Sequence, residues 1–315
     1  MPVTGLHHVT VIAGSAQENL DFYAGALGMR LVKRTVNQDS PDTYHLFYAD
    51  GVGHAGTDIT FFPWPGMPPG RKGTGLTIEV GLAIPPGTIP WWSERLAQLG
   101  AQVESPVERF GERVLPLTDP HGLPLALTET ADSREFTSWL DSPVPEAMQI
   151  RGLHGVRLWQ RDLAPTARLL TAALGFRPAG VEDGWHRFAL GDGGSGRHLD
   201  IRELPEMRRG AWGVGSVHHV AWRVPDDAAE LSVRAAVLDA GARPTEVIDR
   251  FWFRSVYFKE PGGALFEIAT DGPGFSVDEA PESLGTSLVL PPWLEPSRET
   301  IEANLPPLRS AAVPR

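Results

Sequence analysis

Arg109–Ala126 reads RFGERVLPLTDPHGLPLA, and Arg250–Glu267 reads RFWFRSVYFKEPGGALFE. Both segments open on Arg-Phe, carry an Asp/Glu-Pro-x-Gly turn at the same distance, and end in an apolar run. A match of this length within one chain indicates an internal duplication. The fold can therefore be worked out from repeated units, of which these two segments are corresponding parts.

Four helical patterns, each closed by a glycine, extend the repeat along the whole chain. A short strand-like segment precedes each helix, and two or three follow it, separated by turn residues. Glycine is favoured after a helix because that residue often adopts a left-handed conformation. The unit is therefore βαβββ, repeated four times. The predicted helices and their closing glycines are Ser15–Leu27 (Gly28), Pro90–Leu99 (Gly100), Asp162–Leu174 (Gly175) and Asp227–Ala240 (Gly241).

The fourth helical pattern allows a more detailed prediction. Leu231, Ala235 and Leu238 recur at helical spacing, so we expect them to face the core. Asp227 and Glu230 have the spacing of a capping box, in which side chains satisfy the first backbone amides of a helix.

Linkers rich in proline and glycine divide the four modules into two predicted domains. Domain 1 covers residues 1–145, with modules at 5–64 and 75–130. Domain 2 covers residues 146–315, with modules at 151–203 and 216–271 and a loop-rich tail at 272–315. A chain of this length can supply each domain with its own core.

Composition limits the classes of function. The 315 residues carry a net charge of −11, which argues against nucleic acid as a partner because phosphate binding needs a basic face. We predict no membrane span and no secretory signal, since no sufficiently long apolar run is present. No cysteine is present, so any metal must be held by His, Asp or Glu. These features favour a cytoplasmic enzyme or binding protein.

Two histidine doublets, His7–His8 and His218–His219, stand in similar apolar frames, and Glu267 interrupts the apolar run ALFEIA. A carboxylate in such a strand costs several kcal/mol unless it is paired or bound to a metal. Two imidazoles and one carboxylate are the ligand set of a mononuclear Fe(II) site with open positions. A single doublet would more often be structural, but two at equivalent repeat positions favour a metal.

The alternation of side chains along a strand distinguishes the two members of each doublet, because adjacent residues point to opposite faces. His7 and His218 share their faces with apolar residues that should pack under the helices. His8 and His219 lie on mixed faces that should line a cavity. We therefore predict that His8 and His219 bind the metal, which requires the first and fourth modules to share one barrel.

Other candidates surround this ligand set. Pairing across the turn after Glu260 puts Tyr257 nearly opposite Glu267, on the same face. Thr10 and Arg250 have alternative interpretations, as an ordinary strand residue and as a solvated loop residue. The role of His45 stays open. Three further residues complete the comparison of the modules: Asp58, a candidate fourth ligand; His154, interpreted as structural beside Gly155; and Ala126, which replaces Glu267 in the second module.

Several sequence blocks together resemble the vicinal oxygen chelate superfamily, which includes glyoxalases, bleomycin resistance proteins and extradiol dioxygenases. Within it the chain is similar to ring-cleaving dioxygenases of the hydroquinone 1,2-dioxygenase type, over nearly its whole length. The blocks are Leu6–Thr10, Leu31–Thr35, Tyr44–Asp50, Gly70–Gly73, His218–His219, Tyr257, Pro261–Gly263, Phe266–Glu267 and Ser283–Gly285.

The resemblance implies an α+β fold in which four βαβββ modules pair into two open β-barrels with helices outside. It implies metal ligands at His8, His219 and Glu267, a catalytic role for His218 and Tyr257, and substrate-binding or supporting roles for the remaining matched positions. Those positions are His7, Thr10 and Arg250.

The function implied is that of an Fe(II)-dependent dioxygenase that uses O2 to cleave a substituted hydroquinone, in aromatic compound degradation. Mn(II) accepts the same ligands. The alternatives are an extradiol catechol dioxygenase, a glyoxalase-like metal-dependent isomerase, and a metal-free small-molecule binding protein. The implied partners are a small aromatic substrate and O2, without nucleic acid or membrane, and a homo-oligomer stays open.

Overall fold

The computed structural model describes residues 2–131 and 134–311 of the chain. Four βαβββ modules follow one another, as the repeat predicts. The first contains β1 (Gly5–Ala13), α1 (Ala16–Leu20, continued by a π-helical turn at Asp21–Ala26), β2 (Arg30–Asn37), β3 (Ser40–Ala49) and β4 (Asp58–Pro63). The second contains β5 (Leu76–Ile84), α2 (Ile89–Gln98), β6 (Gln102–Val103), β7 (Val107–Arg109), β8 (Glu112–Thr118) and β9 (Pro124–Glu129).

The second half of the chain repeats this order. The third module contains β10 (Gly152–Gln160), α3 (Leu163–Leu169, continued by a π-helical turn at Leu170–Leu174), β11 (Arg177–Glu182), β12 (Trp185–Ala189) and β13 (His198–Glu203). The fourth contains β14 (Val217–Val224), α4 (Asp227–Asp239), β15 (Ile248–Asp249), β16 (Arg254–Lys259) and β17 (Leu265–Thr270). The tail that follows carries α5 (Arg298–Asn304) and three short 3₁₀ turns within the described residues.

Two sheets, each built from two modules, form the molecule. One has the strand order β15-β16-β17-β14-β1-β4-β3-β2, so the first and fourth modules share it. The other has the order β11-β12-β13-β10-β5-β9-β8-β6, with β7 paired to β8, and joins the second and third modules. This confirms that the two ends of the chain meet in one sheet. Each sheet takes one module from either side of residue 145. The division into two consecutive domains, 1–145 and 146–315, stays a prediction. Within those bounds, residues 1, 132–133 and 312–315 lie outside the described part of the chain.

The helices end where the glycines predict. All four closing glycines have positive φ angles, between 68° and 87°, which only a residue without Cβ adopts at little cost. The helices pack their apolar faces against the sheets, in a core that runs through both halves. None of the described helices is long and apolar enough to cross a membrane.

The detailed prediction for the fourth helix is wrong. Leu231 and Leu238 are 55% and 54% exposed, and the buried side is formed instead by Ala229, Val233 and Val237. The reason is a rotation of about one residue, because the helix is capped by Asp226, whose side chain accepts a hydrogen bond from the amide of Ala229 at 2.8 Å. The same rotation buries Glu230 completely.

Candidate metal centre

The two histidine doublets lie side by side where β1 pairs with β14. Each strand carries one extra residue at this place, so that β-bulges interrupt the register between Leu6 and His8 on β1 and between His219 and Val217 on β14. The extra residues are His7 and His218. A bulge turns neighbouring side chains towards one another, which is why both members of each doublet contribute to one centre.

Three ligand atoms converge in the middle of the first sheet. His8 Nε2 lies 3.2 Å from His219 Nε2 and 3.2 Å from Glu267 Oε2, and His219 Nε2 lies 2.9 Å from the same oxygen. An octahedral ion with bonds of about 2.1 Å holds adjacent donor atoms about 3.0 Å apart. The triangle therefore has the size of one face of such an octahedron. All three residues are almost fully buried.

Glu267 shows the strongest sign that a cation belongs here. Its Oε1 accepts a hydrogen bond from Ser255 at 2.5 Å, whereas its Oε2 is buried without a hydrogen bond of good geometry. Burial acts to raise the pKa of this carboxyl, yet the two nearby imidazoles hold it well below its ordinary value. A buried ionised oxygen that faces two imidazole nitrogens is satisfied by a metal ion.

His7 fixes the tautomer of His8. Its Nε2 lies 3.1 Å from the carbonyl oxygen of Thr270 and must donate to it, so Nδ1 of the neutral His7 ring is an acceptor. His8 Nδ1, 2.8 Å away, then carries the proton that it donates to His7. This leaves the lone pair of His8 on Nε2, the atom in the triangle. Burial and the neighbouring His8 lower the pKa of His7 to about 3, which keeps this ring neutral.

His218 repeats the arrangement on the other side of the centre, with one difference. Its Nδ1 lies 2.8 Å from His219 Nδ1, but no described residue hydrogen-bonds to its Nε2. The ring instead borders a cavity and stacks on Trp212, with ring centres 4.5 Å apart. Burial and His219 lower its pKa to about 3. His218 therefore contacts His219 and also borders the cavity, whereas His7 contacts His8 and is not among the described residues that border the cavity.

A cavity of about 500 Å³ opens beside the triangle and includes His8 and His219 in its wall. Aromatic rings form most of this wall, and one of them, Phe253, packs against the rings of both His7 and His8. A planar apolar ligand would find complementary surfaces there. The aromatic side chains are Phe47, Phe62, Trp64, Trp252, Phe253 and Tyr257, together with the imidazoles of His8, His45, His218 and His219.

Tyr257 lies directly opposite Glu267 in the pairing of β16 with β17, as predicted from the turn. Its ring centre is 5.7 Å from that of His219, and its hydroxyl oxygen accepts a hydrogen bond from Arg250 Nε at 3.3 Å. Burial, reinforced by Glu267, raises the pKa of Tyr257 well above its ordinary value. The hydroxyl therefore keeps its proton and can donate it to a bound molecule.

Arg250 also borders the cavity. Its guanidinium forms two hydrogen bonds with Asp39, at 2.9 and 3.2 Å, and its carbonyl oxygen accepts one from Gln38 at 2.9 Å. Asp39 and Gln38 belong to the turn between β2 and β3, so this contact joins the two outer ends of the sheet. The alternative of a solvated loop residue does not describe Arg250, whose side chain is 15% exposed.

Thr10 is buried, and it is not one of the described residues that border the cavity. Its hydroxyl lies 2.7 Å from that of Thr60, and His45 Nε2 lies 2.9 Å from the same Thr60 oxygen. His45 does border the cavity, and burial lowers its pKa. Asp58 lies outside the cluster of described metal-ligating groups. Burial raises its pKa, and no described residue forms a hydrogen bond with its carboxyl.

Three residues of this centre were missed from the sequence. Ser255 could have been found, since it lies two residues before Tyr257 and therefore on the same face of β16. Phe253 and Asp39 lie in loops and come to the site only through tertiary structure. Nothing in the local sequence indicates their position.

Comparisons with known proteins agree with this architecture. The family model described as "Glyoxalase/Bleomycin resistance protein/Dioxygenase superfamily" matches residues 5–127 and 152–268. The "Putative ring-cleaving dioxygenase MhqO" of Bacillus subtilis (strain 168) is 41% identical over 303 residues, covering 96% of each chain. The "Chlorohydroquinone/hydroquinone 1,2-dioxygenase" of Sphingobium indicum is 37% identical over 308 residues, covering 93% of each.

Solved structures show the same fold. A crystal structure titled "putative dioxygenase" from Bacillus subtilis superposes with a TM-score of 0.94 at 40% identity, covering 99% of each chain. Glyoxalase I from Zea mays superposes with a TM-score of 0.64 at 17% identity, covering 85% of this chain and 92% of that one. The second likeness supports the fold alone.

Proposed function

The chain belongs to the glyoxalase/bleomycin resistance protein/dioxygenase superfamily, and on that premise we propose that it is an Fe(II)-dependent dioxygenase that cleaves the ring of a substituted hydroquinone with O2. The observation that carries the proposal is the buried triangle of two imidazole nitrogens and one carboxylate oxygen beside an aromatic cavity. The names of the relatives support the substrate class.

The residues present fit an iron ion. The unsatisfied Oε2 of Glu267 and the lone pair of His8 Nε2 face one another at bonding distance from a common point, and His219 completes the face. Bound there, Fe(II) would lower the pKa of a phenol and bring it together with O2 at the open coordination positions. Mn(II) suits the same donors.

The protein would position the ring and control its protons. A cavity of about 150 Å³ holds a benzene ring, so the observed volume of about 500 Å³ leaves room for ring substituents. The aromatic walls exclude water from the ring faces. Because Tyr257 accepts from Arg250, its own hydroxyl proton is available to a substrate oxygen. His218 accepts the Nδ1 proton of His219, so its own neutral ring carries the proton on Nε2 and can donate a hydrogen bond to a substrate oxygen in the cavity.

The experiment is an oxygen-electrode screen of Fe(II)-loaded protein against hydroquinones and catechols, with ring-cleavage absorbance followed in parallel. We expect oxygen uptake with substituted hydroquinones. Uptake with catechols alone would indicate an extradiol catechol dioxygenase, and turnover without uptake would indicate an isomerase. A protein that retains no metal after anaerobic purification and consumes no oxygen when loaded would be a binding protein. The cytoplasmic location and the oligomeric state stay predictions.

A further inference from the structure

The second sheet has lost the metal ligands of the first. The pairings of β10 with β13 and β5, and of β5 with β9, have the same registers and bulges as those around β1 and β14. These registers identify the residues at the three ligand positions. Gly155, Glu79 and Ala126 stand where the first sheet has His8, His219 and Glu267.

A different set of metal-ligating side chains has gathered in the same place. Glu112 on β8, His154 on β10 and His198 on β13 bring their ligand atoms within 4.8 Å of one another. His154 Nε2 lies 3.2 Å from Glu112 Oε2, and the two imidazole rings meet edge to face with centres 4.6 Å apart. Both histidines are 4% exposed. The set arises from three strands and none of its members occupies a ligand position of the first centre.

Nε2 of His198 forms no hydrogen bond with a described residue and faces this space. Its Nδ1 lies 3.2 Å from the carbonyl oxygen of Gly194 and must donate to it, which leaves the lone pair of the neutral ring on Nε2. That Nε2 lies only 2.4 Å from where a Cβ on Gly155 would stand, so the missing side chain of Gly155 makes room for the ring. Burial lowers the pKa of His198 to about 3, which keeps the ring neutral.

Glu112 supplies the negative charge. Burial acts to raise its pKa, but His154, together with Arg187, lowers it to about 2. Its contacts with His154 and Arg187 both use Oε2, so Oε1 is available. Arg187 is held independently by two hydrogen bonds to Asp200, at 2.8 and 3.1 Å. It can therefore stay in place beside a ligating Glu112 and support it.

The volume of the space limits what it can hold. The cavity bordered by these three side chains measures about 30 Å³, enough for an ion and little else. Three guanidiniums and two carboxylates also border the cavity, and with the carboxylate of Glu112 their charges sum to zero. No net negative charge therefore attracts an ion, which would be held by direct bonds to the three ligand atoms. The guanidiniums and the two further carboxylates belong to Arg109, Arg157, Arg187, Glu79 and Asp200.

We propose that Glu112, His154 and His198 form a second divalent metal site, which takes Zn²⁺ or an ion of similar preference for imidazole. Two imidazoles, one carboxylate and one water complete the tetrahedron that Zn²⁺ prefers. The site binds an ion that clamps β8, β10 and β13 together, since the space admits no organic substrate.

The test removes two ligands of the first centre and measures how many metal ions the protein still binds. Metal-free His219→Ala/Glu267→Ala protein is titrated with Zn²⁺ against a chromophoric chelator, and with Co²⁺, whose visible bands are intense when tetrahedral. We expect one equivalent per chain, tetrahedral Co²⁺ bands, and a rise in melting temperature on metal addition. The further change His198→Gln should abolish all three, while His186→Gln, a half-buried histidine on neighbouring β12 outside the cluster, should keep them.

Zinc binding that is absent from the double variant, or that is the same in His198→Gln and His186→Gln, overturns the proposal. Glu112→Gln provides a second variant if His198→Gln does not fold, because it keeps the side-chain shape and its position is partly exposed. It should weaken binding at least tenfold, and unchanged affinity would also overturn the proposal. Near-ultraviolet circular dichroism confirms that each variant is folded.

Discussion

The first sheet holds at its centre a buried carboxylate, Glu267, with an oxygen that forms no hydrogen bond of good geometry with a described residue. The second sheet holds at the same level a group of charged side chains that pair with one another. Both sheets have the same strand order and the same pair of bulges. The architecture therefore does not specify a catalytic centre. Three side chains and the size of the cavity beside them, about 500 Å³ against about 30 Å³, make the difference.

The largest effect is expected from removing the carboxylate of the first centre. Glu267→Ala should abolish both iron retention and turnover, because the remaining two imidazoles leave the ion without a charged ligand. Iron content by atomic emission and oxygen uptake are the measurements. Glu246→Ala, which removes an exposed carboxylate outside both clusters of metal-ligating groups, should leave iron content and turnover unchanged. Retention of iron and activity by Glu267→Ala would show that the centre lies elsewhere.

Tyr257→Phe tests the proton donor at the same level of the sheet. The variant should lower kcat by about 10²-fold or more, since a positioned acid contributes that much, while iron content stays constant. The second sheet has Pro116 at the position equivalent to Tyr257, so it lacks a hydroxyl there. The measurement is kcat from steady-state kinetics on Fe(II)-loaded protein. An unchanged kcat would make Tyr257 a packing residue.

His7→Ala should lower iron affinity or activity by about 10- to 100-fold, the usual cost of removing a residue that orients a metal ligand. His7 sits at the bulge of β1, and His154 sits at the equivalent bulge of β10. His154→Ala should leave iron affinity at the first centre unaltered. Equal effects of the two substitutions on iron affinity would remove the distinction between the sheets.

The smallest expected effect is on the pH dependence of stability and comes from Glu230. The fourth helix buries this carboxyl, whereas the second helix has an apolar residue at the equivalent position. Burial, with Asp227 and Glu267 adding to it and Arg254 opposing it, raises the pKa of Glu230 from 4.5 to about 7. The equivalent residue of the second module, counted back from the closing glycine, is the apolar Ile89. The folded protein therefore keeps a proton that the unfolded chain has lost between these two pH values.

The contribution of Glu230 to stability is full below pH 4.5 and falls as the pH rises to about 7, by at most about 3 kcal/mol. Urea unfolding of metal-free protein at about pH 5 and about pH 8 should show a smaller difference for Glu230→Gln than for the wild type. If the wild type and Glu230→Gln lose the same stability between the two pH values, the pKa of Glu230 is not raised in the folded protein. Ile89→Gln serves as the control for introducing an amide at the same helical position.

Much of the fold was predictable because the repeat is local. A strand precedes each predicted helix, as Leu76–Ile84 and Val217–Val224 do, and the closing glycines have the expected conformation. The pairing of the first and fourth modules followed from chemistry, since His8 and Glu267 can share an ion only within one sheet. The rotation of the fourth helix was not predictable, because Asp226 and Asp227 are equally plausible caps and one residue changes which face is buried.

The centre itself was predictable where strand alternation applies and unpredictable where it fails. Alternation selected His8 and His219, and pairing across the turn selected Tyr257, but alternation placed His7 and His218 on opposite faces from their neighbours. The bulges bring each pair of Nδ1 atoms to 2.8 Å instead. No sequence signal marks an inserted residue in an otherwise regular strand. Thr10 illustrates the same limit, since its contact with Thr60 depends on how β1 pairs with β4.

The most direct test of the central claim is turnover of a substituted hydroquinone by anaerobically reconstituted Fe(II) protein under ¹⁸O2, with mass spectrometry of the ring-opened product. If iron held by His8, His219 and Glu267 catalyses ring cleavage, both oxygens introduced into the wild-type product carry the label, and Glu267→Ala forms no product. A product that carries one labelled oxygen or none, or a Glu267→Ala protein that still forms the doubly labelled product, would contradict the claim.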